Sequence, residues 1–215
     1  MQNRPSSLNS SSTFDPTGTA TLPRASGLWL VALGTLLLAG CAGPITRPSP
    51  IMQKSVAALE APPAGKSLVV IHRPRAQQGY GLYTGVWDST NFLADLGNGH
   101  SFAYACEPGK HYFINRSVER VGVVEAELLP EKIYDLRLDT AGAFIASFQL
   151  EPIKRGDKSR DKIARWSKEN LWVTRGPTAE AHEQLRRKEI ELIMKDFISG
   201  EKKDRLRKLG ADDHR

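Results

Sequence analysis

From Lys66 to Pro152 apolar and polar residues alternate in short runs, and turn-forming residues close each run. Alternation of this kind marks strands with one face buried and one face wet. It predicts strands at Ser67–Arg73, Tyr80–Trp87, Phe92–Leu96, Ser101–Glu107, His111–Arg116, Val121–Leu128, Ile133–Asp139 and Ala143–Leu150. The connections carry turn chemistry: Asp88-Ser89-Thr90-Asn91, Gly97-Asn98-Gly99, Pro108-Gly109-Lys110, Pro130-Glu131-Lys132 and Thr140-Ala141-Gly142. No connection is long enough for a crossover helix, which favours antiparallel pairing. The expected body is mainly β, an antiparallel β-sandwich of about 7–8 short strands.

One connection allows a sharper expectation. A two-residue Asn98-Gly99 loop would oppose Leu96 to Ser101. A three-residue loop, Gly97-Asn98-Gly99, opposes Ala94 to Phe102 and Phe92 to Tyr104, and gathers Phe92, Ala94, Leu96, Phe102 and Tyr104 on one apolar face. Burial selects the second register, because a one-residue slip turns every side chain of a strand over. Gly99 is expected at positive φ. Cys106 then points the same way as Phe102 and Tyr104.

Past Ile153 the period changes to that of helices. Ser159–Asn170 reads as a short helix with Ile163 and Trp166 one turn apart. Pro177 breaks the chain, Thr178 is an N-cap candidate, and Glu180 suits the first turn. That helix should run to about Ser199 and stop at Gly200. Ile190, Ile193, Met194, Phe197 and Ile198 form its apolar stripe. A last short helix is expected over Glu201–Leu209, and another short one over Met52–Glu60.

Ahead of the β region lies an address segment. Ala25–Thr46 holds no charge, and the strongly apolar part is Leu28–Ala39. Twelve or so residues suit a signal-peptide core and fall short of the roughly 20 needed to span a bilayer. The run closes on Leu38-Ala39-Gly40-Cys41, which resembles the lipobox of bacterial lipoprotein signals. The resemblance implies cleavage before Cys41 and acylation of its thiol, as with palmitate. Ala42, rather than Asp, at the following position resembles the outer-membrane sorting pattern of Gram-negative lipoproteins. The competing reading is an ordinary signal peptide or a short membrane anchor. These features divide the chain into a signal peptide (1–40), a lipidated Cys41 with a flexible tether (41–65), a β-sandwich (66–153) and a basic helical extension (154–215). Pro44, Pro48, Pro50, Pro62 and Pro63 are spread through the tether, which reaches farther where it extends as polyproline.

The net charge of +6 changes the picture in one place. Residues 1–153 hold 12 basic and 12 acidic side chains, while residues 154–215 hold 18 against 12. The surplus belongs to the helical extension. It reads as a solvated amphipathic surface, or as a contact with an anionic polymer or lipid surface. An exported, anchored chain makes nucleic acid an unsuitable partner.

Catalytic signatures are sparse. Cys41 and Cys106 are the two cysteines. With Cys41 acylated, Cys106 is a leftover thiol, either a small buried hydrophobe or a reactive group paired with His100 or His111. The five histidines lack metal-ligand spacing, and no metal or cofactor is expected. Glu125/Glu127 and Asp135/Asp139 read as solvent-facing strand positions. No nucleophile elbow, phosphate loop or dinucleotide fingerprint occurs. Trp87, Trp166 and Trp172 are candidates for sugar stacking or for core filling.

Ile71-His72-Arg73-Pro74, the Asn98-Gly99 turn and Pro108-Gly109-Lys110-His111 together resemble a bacterial lipoprotein family called domain of unknown function 2846. They are also similar to small surface β domains of the Pro-Glu-Gly-Ala type. The resemblance spans about Ser67–Ile153. It implies a small envelope β-sandwich and carries no catalytic residue with it. The sequence therefore leads to a non-catalytic binding or assembly module, with an envelope protein or cell-wall polymer as partner. It would be held to the membrane, on the periplasmic face of the outer membrane, by the lipid on Cys41. A thiol enzyme built on Cys106 and a tail that binds an anionic polymer are the alternatives.

Overall fold

The strand Ser67–Arg73 (β2) is buried at every one of its seven positions, the mark of a central strand covered on both faces. Around it the computed structural model describes residues 47–56, 58–117, 120–141 and 147–215. All of them belong to one unit, Pro44–Arg215. The signal peptide, Leu38-Ala39-Gly40 and Cys41 lie outside the described residues, as does the start of the strand expected at Ala143–Leu150.

Two sheets make up the β structure. The first is six-stranded. In spatial order it holds Met52–Lys54 (β1), Leu171–Arg175 (β10), His100–Cys106 (β5), β2, Ile133–Ala141 (β8) and Ser147–Pro152 (β9). The second is five-stranded. It runs Arg207–Leu209 (β11), Val121–Leu128 (β7), Gly109–Arg116 (β6), Thr84–Asp88 (β3) and Asn91–Leu96 (β4). Val69, Ile71, Phe102, Tyr134 and Leu150 of the first sheet share one buried cluster with Val86, Phe92, Phe113 and Val124 of the second. The chain is mainly β, and its shared core is consistent with a sandwich.

The sheets are mixed, not purely antiparallel. β2 pairs with β8 in parallel, β5 with β10, and β7 with β11. The expectation of wholly antiparallel sheets failed because it counted only helices as crossovers. Between β2 and β8 the chain builds four strands of the other sheet, a crossover made of sheet. The sheets also take in three short strands from outside residues 66–153. Met52–Lys54, expected to be helical, is a strand paired with β10. Glu201–Leu209, also expected to be helical, is a 3₁₀ turn at Lys203–Arg205 followed by β11.

The expected hairpin across Gly97-Asn98-Gly99 does not form either. β4 pairs with β3, and β5 pairs with β2 and β10. Phe92, Ala94, Leu96 and Phe102 are all buried nonetheless, and Gly99 has φ of +71°. An arch brings two apolar strand faces together across the core; a hairpin sets them side by side. Alternation alone is satisfied by both.

Two helices follow, Arg160–Glu169 (α1) and Ala179–Ile198 (α2). α1 buries Ile163 and Trp166 against Ile153 in a satellite cluster. α2 starts after Thr178, which makes no side-chain capping bond. Its Ile190 and Phe197 join the main core, with Ile193 and Met194 packed against it. Glu183 ties α2 to both sheets. Its Oε2 accepts from the Phe92 N–H on the edge of β4 at 3.1 Å and from the Arg175 guanidinium of β10 at 3.2 Å. That covers an edge that would otherwise offer free backbone groups.

Candidate functional site

Cys106 ends β5 with 6% exposure, its Sγ 4.0 Å from the Ser67 carbonyl. Burial pushes its thiol up to about 12, reinforced by the Asp88 and Glu107 carboxylates. Neither expected imidazole serves it. His100 begins the same strand, six residues away, roughly 20 Å along the chain. His111 has its Nδ1 on Asp88 at 2.7 Å and its Nε2 on the Glu107 carbonyl at 2.9 Å. A nucleophilic thiol needs a lowered value and access, and this one has neither.

A second polar cluster lies where the sequence showed only an apolar strand. His72 on β2 faces Ser101 of β5, its register partner, with Nδ1 2.9 Å from Oγ. Its Nε2 lies 3.1 Å from Oδ1 of Asp135 on β8. Asn170 Nδ2 donates to Ser101 Oγ at 2.9 Å, and Arg215 Nε pairs with Asp135 Oδ2 at 3.0 Å. Every group is satisfied with the ring proton on Nε2. The order serine, imidazole, carboxylate is that of a hydrolytic relay, but Ser101, His72 and Asp135 are at most 2% exposed. Trp166 and Trp172 close over the ring at 5.7 and 6.3 Å between centroids. Asp135, read as a solvent-facing position, is thus part of a sealed polar joint. The signal for it was His72 inside the apolar run SLVVIHR.

An open cavity of about 180 Å³ lies between α2 and strands β3 and β4. Helix periodicity aims His182, Arg186, Glu189 and Ile190 at it from one face of α2. Tyr83, Gly85 and Trp87 meet them from the other side. Gly85 pairs with Asp95 across the β3–β4 hairpin, and both line the cavity. Trp87, at 2% exposure, presents little more than an edge. Its ring stacks on His182 at 5.9 Å and meets Phe92 edge-on at 5.0 Å.

No protein-family model matches this chain, and no curated protein matches it.

The charges in this cavity are unevenly satisfied. Burial raises the Asp95 carboxyl above its usual range, with Ser49, His182 and Arg73 close enough to oppose the shift. Burial also lowers His182, and the Arg186 cation adds to that while Asp95 works against it. At the rim, Glu189 pairs with Arg116 and, at 3.1 Å, with Arg186. Two guanidiniums therefore share one carboxylate. Aromatic edges, a desolvated acid and surplus rim cations make a place for a small polar ligand. Asp95 and His182 were missed in the sequence; Asp95 alone left a trace, as a charge inside the apolar strand Phe92–Leu96.

Among the described residues no group of three or more His, Cys, Asp or Glu side chains is placed to hold a metal ion. No described helix is long and apolar enough to cross a membrane. Trp166 is buried in the joint between α1 and the first sheet, and Trp172 donates to the Ser167 carbonyl at 2.9 Å.

Proposed function

We propose that this chain is a lipid-anchored envelope protein whose β-sandwich serves as a non-catalytic binding module. One contrast supports the reading above all. The residues best suited to nucleophilic chemistry, Cys106 and Ser101, are enclosed, whereas the cavity under α2 is open and carries mixed charge. Binding needs access and complementary groups; covalent catalysis also needs an accessible activated nucleophile. The anchor is Cys41, acylated after cleavage at the Leu38-Ala39-Gly40 lipobox, on the periplasmic face of the outer membrane. Several acyl chains hold a protein to a bilayer, at about 0.8 kcal/mol per buried CH₂.

Two measurements test this. Labelled palmitate should enter the wild-type chain and not the Cys41→Ala variant, which should leave the membrane fraction. A fluorophosphonate probe and a thiol probe should both leave the folded protein unmodified; rapid labelling of Ser101 or Cys106 would replace the binding reading with an enzymatic one.

A second reading is attachment to an anionic envelope polymer. Two grooves flank Leu206–Arg207, of about 660 and 640 Å³. Arg120, Arg205, Arg207, Lys154 and Lys208 face Asp204, Glu151 and Asp157 there, so cations are in excess. Salt-sensitive retention on a polyanion, abolished by Arg205→Ala with Lys208→Ala, is its expected result.

A further inference from the structure

We propose that the cavity beneath α2 takes a small zwitterion, an α-amino acid or dipeptide, with its ammonium group at Asp95 and its carboxylate at Arg116 and Arg186. The inference rests on reading the chain as a binding module.

The floor sets one end of the ligand. Asp95 lines the floor, its carboxyl raised by burial against a Ser49 hydrogen bond and the charges of His182 and Arg73. The Arg73 guanidinium gives its hydrogen bonds to the carbonyls of Leu82, Leu96 and Gly79, so its charge acts on Asp95 through space, and burial favours the neutral His182 ring. An incoming ammonium would give Asp95 a cation in direct contact, entering from the open side of the cavity that Asp95 lines.

The rim sets the other end. Among the described residues Glu189 is the one carboxylate paired with Arg116 and Arg186, so a second carboxylate is accommodated there without displacing the first. Both arginine side chains are 42–45% exposed, and guanidinium forks suit carboxylates. Each simpler ligand leaves one end unmatched. A neutral sugar compensates neither charge, an amine leaves the rim surplus, and a plain acid faces Asp95. The volume of about 180 Å³ holds roughly six waters at liquid density, or a solute of similar bulk.

Calorimetric titration of the detergent-solubilised full-length chain tests this at neutral pH. The probes are D- and L-alanine, glutamate and alanyl-alanine, with N-acetyl-alanine, alanine amide and methyl glucoside as comparisons. The expected result is saturable binding of at least one zwitterion, weakened tenfold or more by acetylating its amine or amidating its acid. Asp95→Asn should weaken the zwitterion tenfold or more and leave the acetylated form unchanged. Arg186→Gln, on the exposed helix surface, should do the reverse for the amidated form and keeps the test alive if Asp95→Asn misfolds. Binding of the glucoside alone, equal binding of blocked and free forms, or no binding by any probe overturns the inference and leaves the module reading standing. Release of acetate or alanine from a probe, seen by mass spectrometry, would overturn the module reading as well.

Discussion

The imidazole of His111 stands 2.7 Å from Asp88, Nδ1 to Oδ2, while its other nitrogen faces the Glu107 carbonyl. Carboxylate and carbonyl only accept, so both bonds exist together only when both ring nitrogens carry protons. The Asp88 hydrogen bond accordingly raises His111, against an opposing effect of burial. A raised histidine stabilises the fold fully below its unfolded value, near 6.5, and loses that contribution as pH climbs through the folded value. His100, which burial pulls down to about 4 with help from Arg73, works the other way and loses its contribution as pH falls. The difference between wild type and His111→Gln isolates the first effect. In urea unfolding, the variant should be less stable by about 1.5–3 kcal/mol at pH 5.5. The gap should narrow steadily toward pH 8.5, and a gap that widened with pH would refute the assignment.

Arg73 is fully enclosed, its guanidinium 4.0 Å from the centroid of the Phe148 ring. It donates to the carbonyls of Leu82 and Leu96 at 2.6 Å and of Gly79 at 2.8 Å. Burial lowers it to about 10, partly offset by Asp95 and Tyr83. Lysine keeps the charge and loses the fork. Arg73→Lys should therefore cost about 2–4 kcal/mol. It should also loosen the 74–83 loop, seen as faster limited proteolysis there. A change below about 0.5 kcal/mol, the usual scatter for inert surface sites, would mean that the loop holds itself.

How far the fold could be read from sequence follows from what each signal encodes. β2, β5 to β8, α1 and α2 were legible because periodicity reports burial, although β2, read as having one wet face, is buried at all seven positions, and Asp135 is buried as well. Partnership was not legible. Leu96 and Phe102 bury their side chains equally well in an arch or a hairpin, and three residues are too short a strand for β1 or β11 to carry a period. The cavity was less legible still. Asp95, Arg116 and His182 sit on three separate elements, and only the packing of α2 on β3 and β4 brings them together. The histidine of SLVVIHR was visible as an oddity, but its partners Ser101 and Asp135 lie on strands 29 and 63 residues away.

Cys106 makes a direct chemical prediction. A thiol held up to about 12 is ionised far less at pH 8 than a free one near 8.5. Reaction with a disulfide reagent should be about a thousandfold slower than for a free thiol, on ionisation alone. Denaturant should restore the normal rate. Fast labelling of the native protein would show a thiol that opens readily to solvent.

Asn115 couples the two sheets by standing in for a strand. From β6 its Nδ2 donates to the Phe148 carbonyl at 2.9 Å, and its Oδ1 accepts from the Leu150 N–H at 2.7 Å. Both backbone groups belong to the edge strand β9 of the other sheet. The neighbour across β6 and β7 is Gly122, where a Cβ would fall 2.4 Å from Asn115 Oδ1 and 3.0 Å from the Leu150 nitrogen. The glycine is the space in which the amide lies. Asn115→Ala leaves a buried donor and acceptor unpaired and should cost about 1–3 kcal/mol. Gly122→Ala should cost a similar amount by pushing the amide off its partners, about 1–3 kcal/mol for overpacking. Because both act through the same two bonds, the double variant should lose clearly less than the sum, with a coupling of about 0.5–3 kcal/mol in denaturant unfolding. Strict additivity would show that the glycine is needed for its backbone and not for the room it gives Asn115.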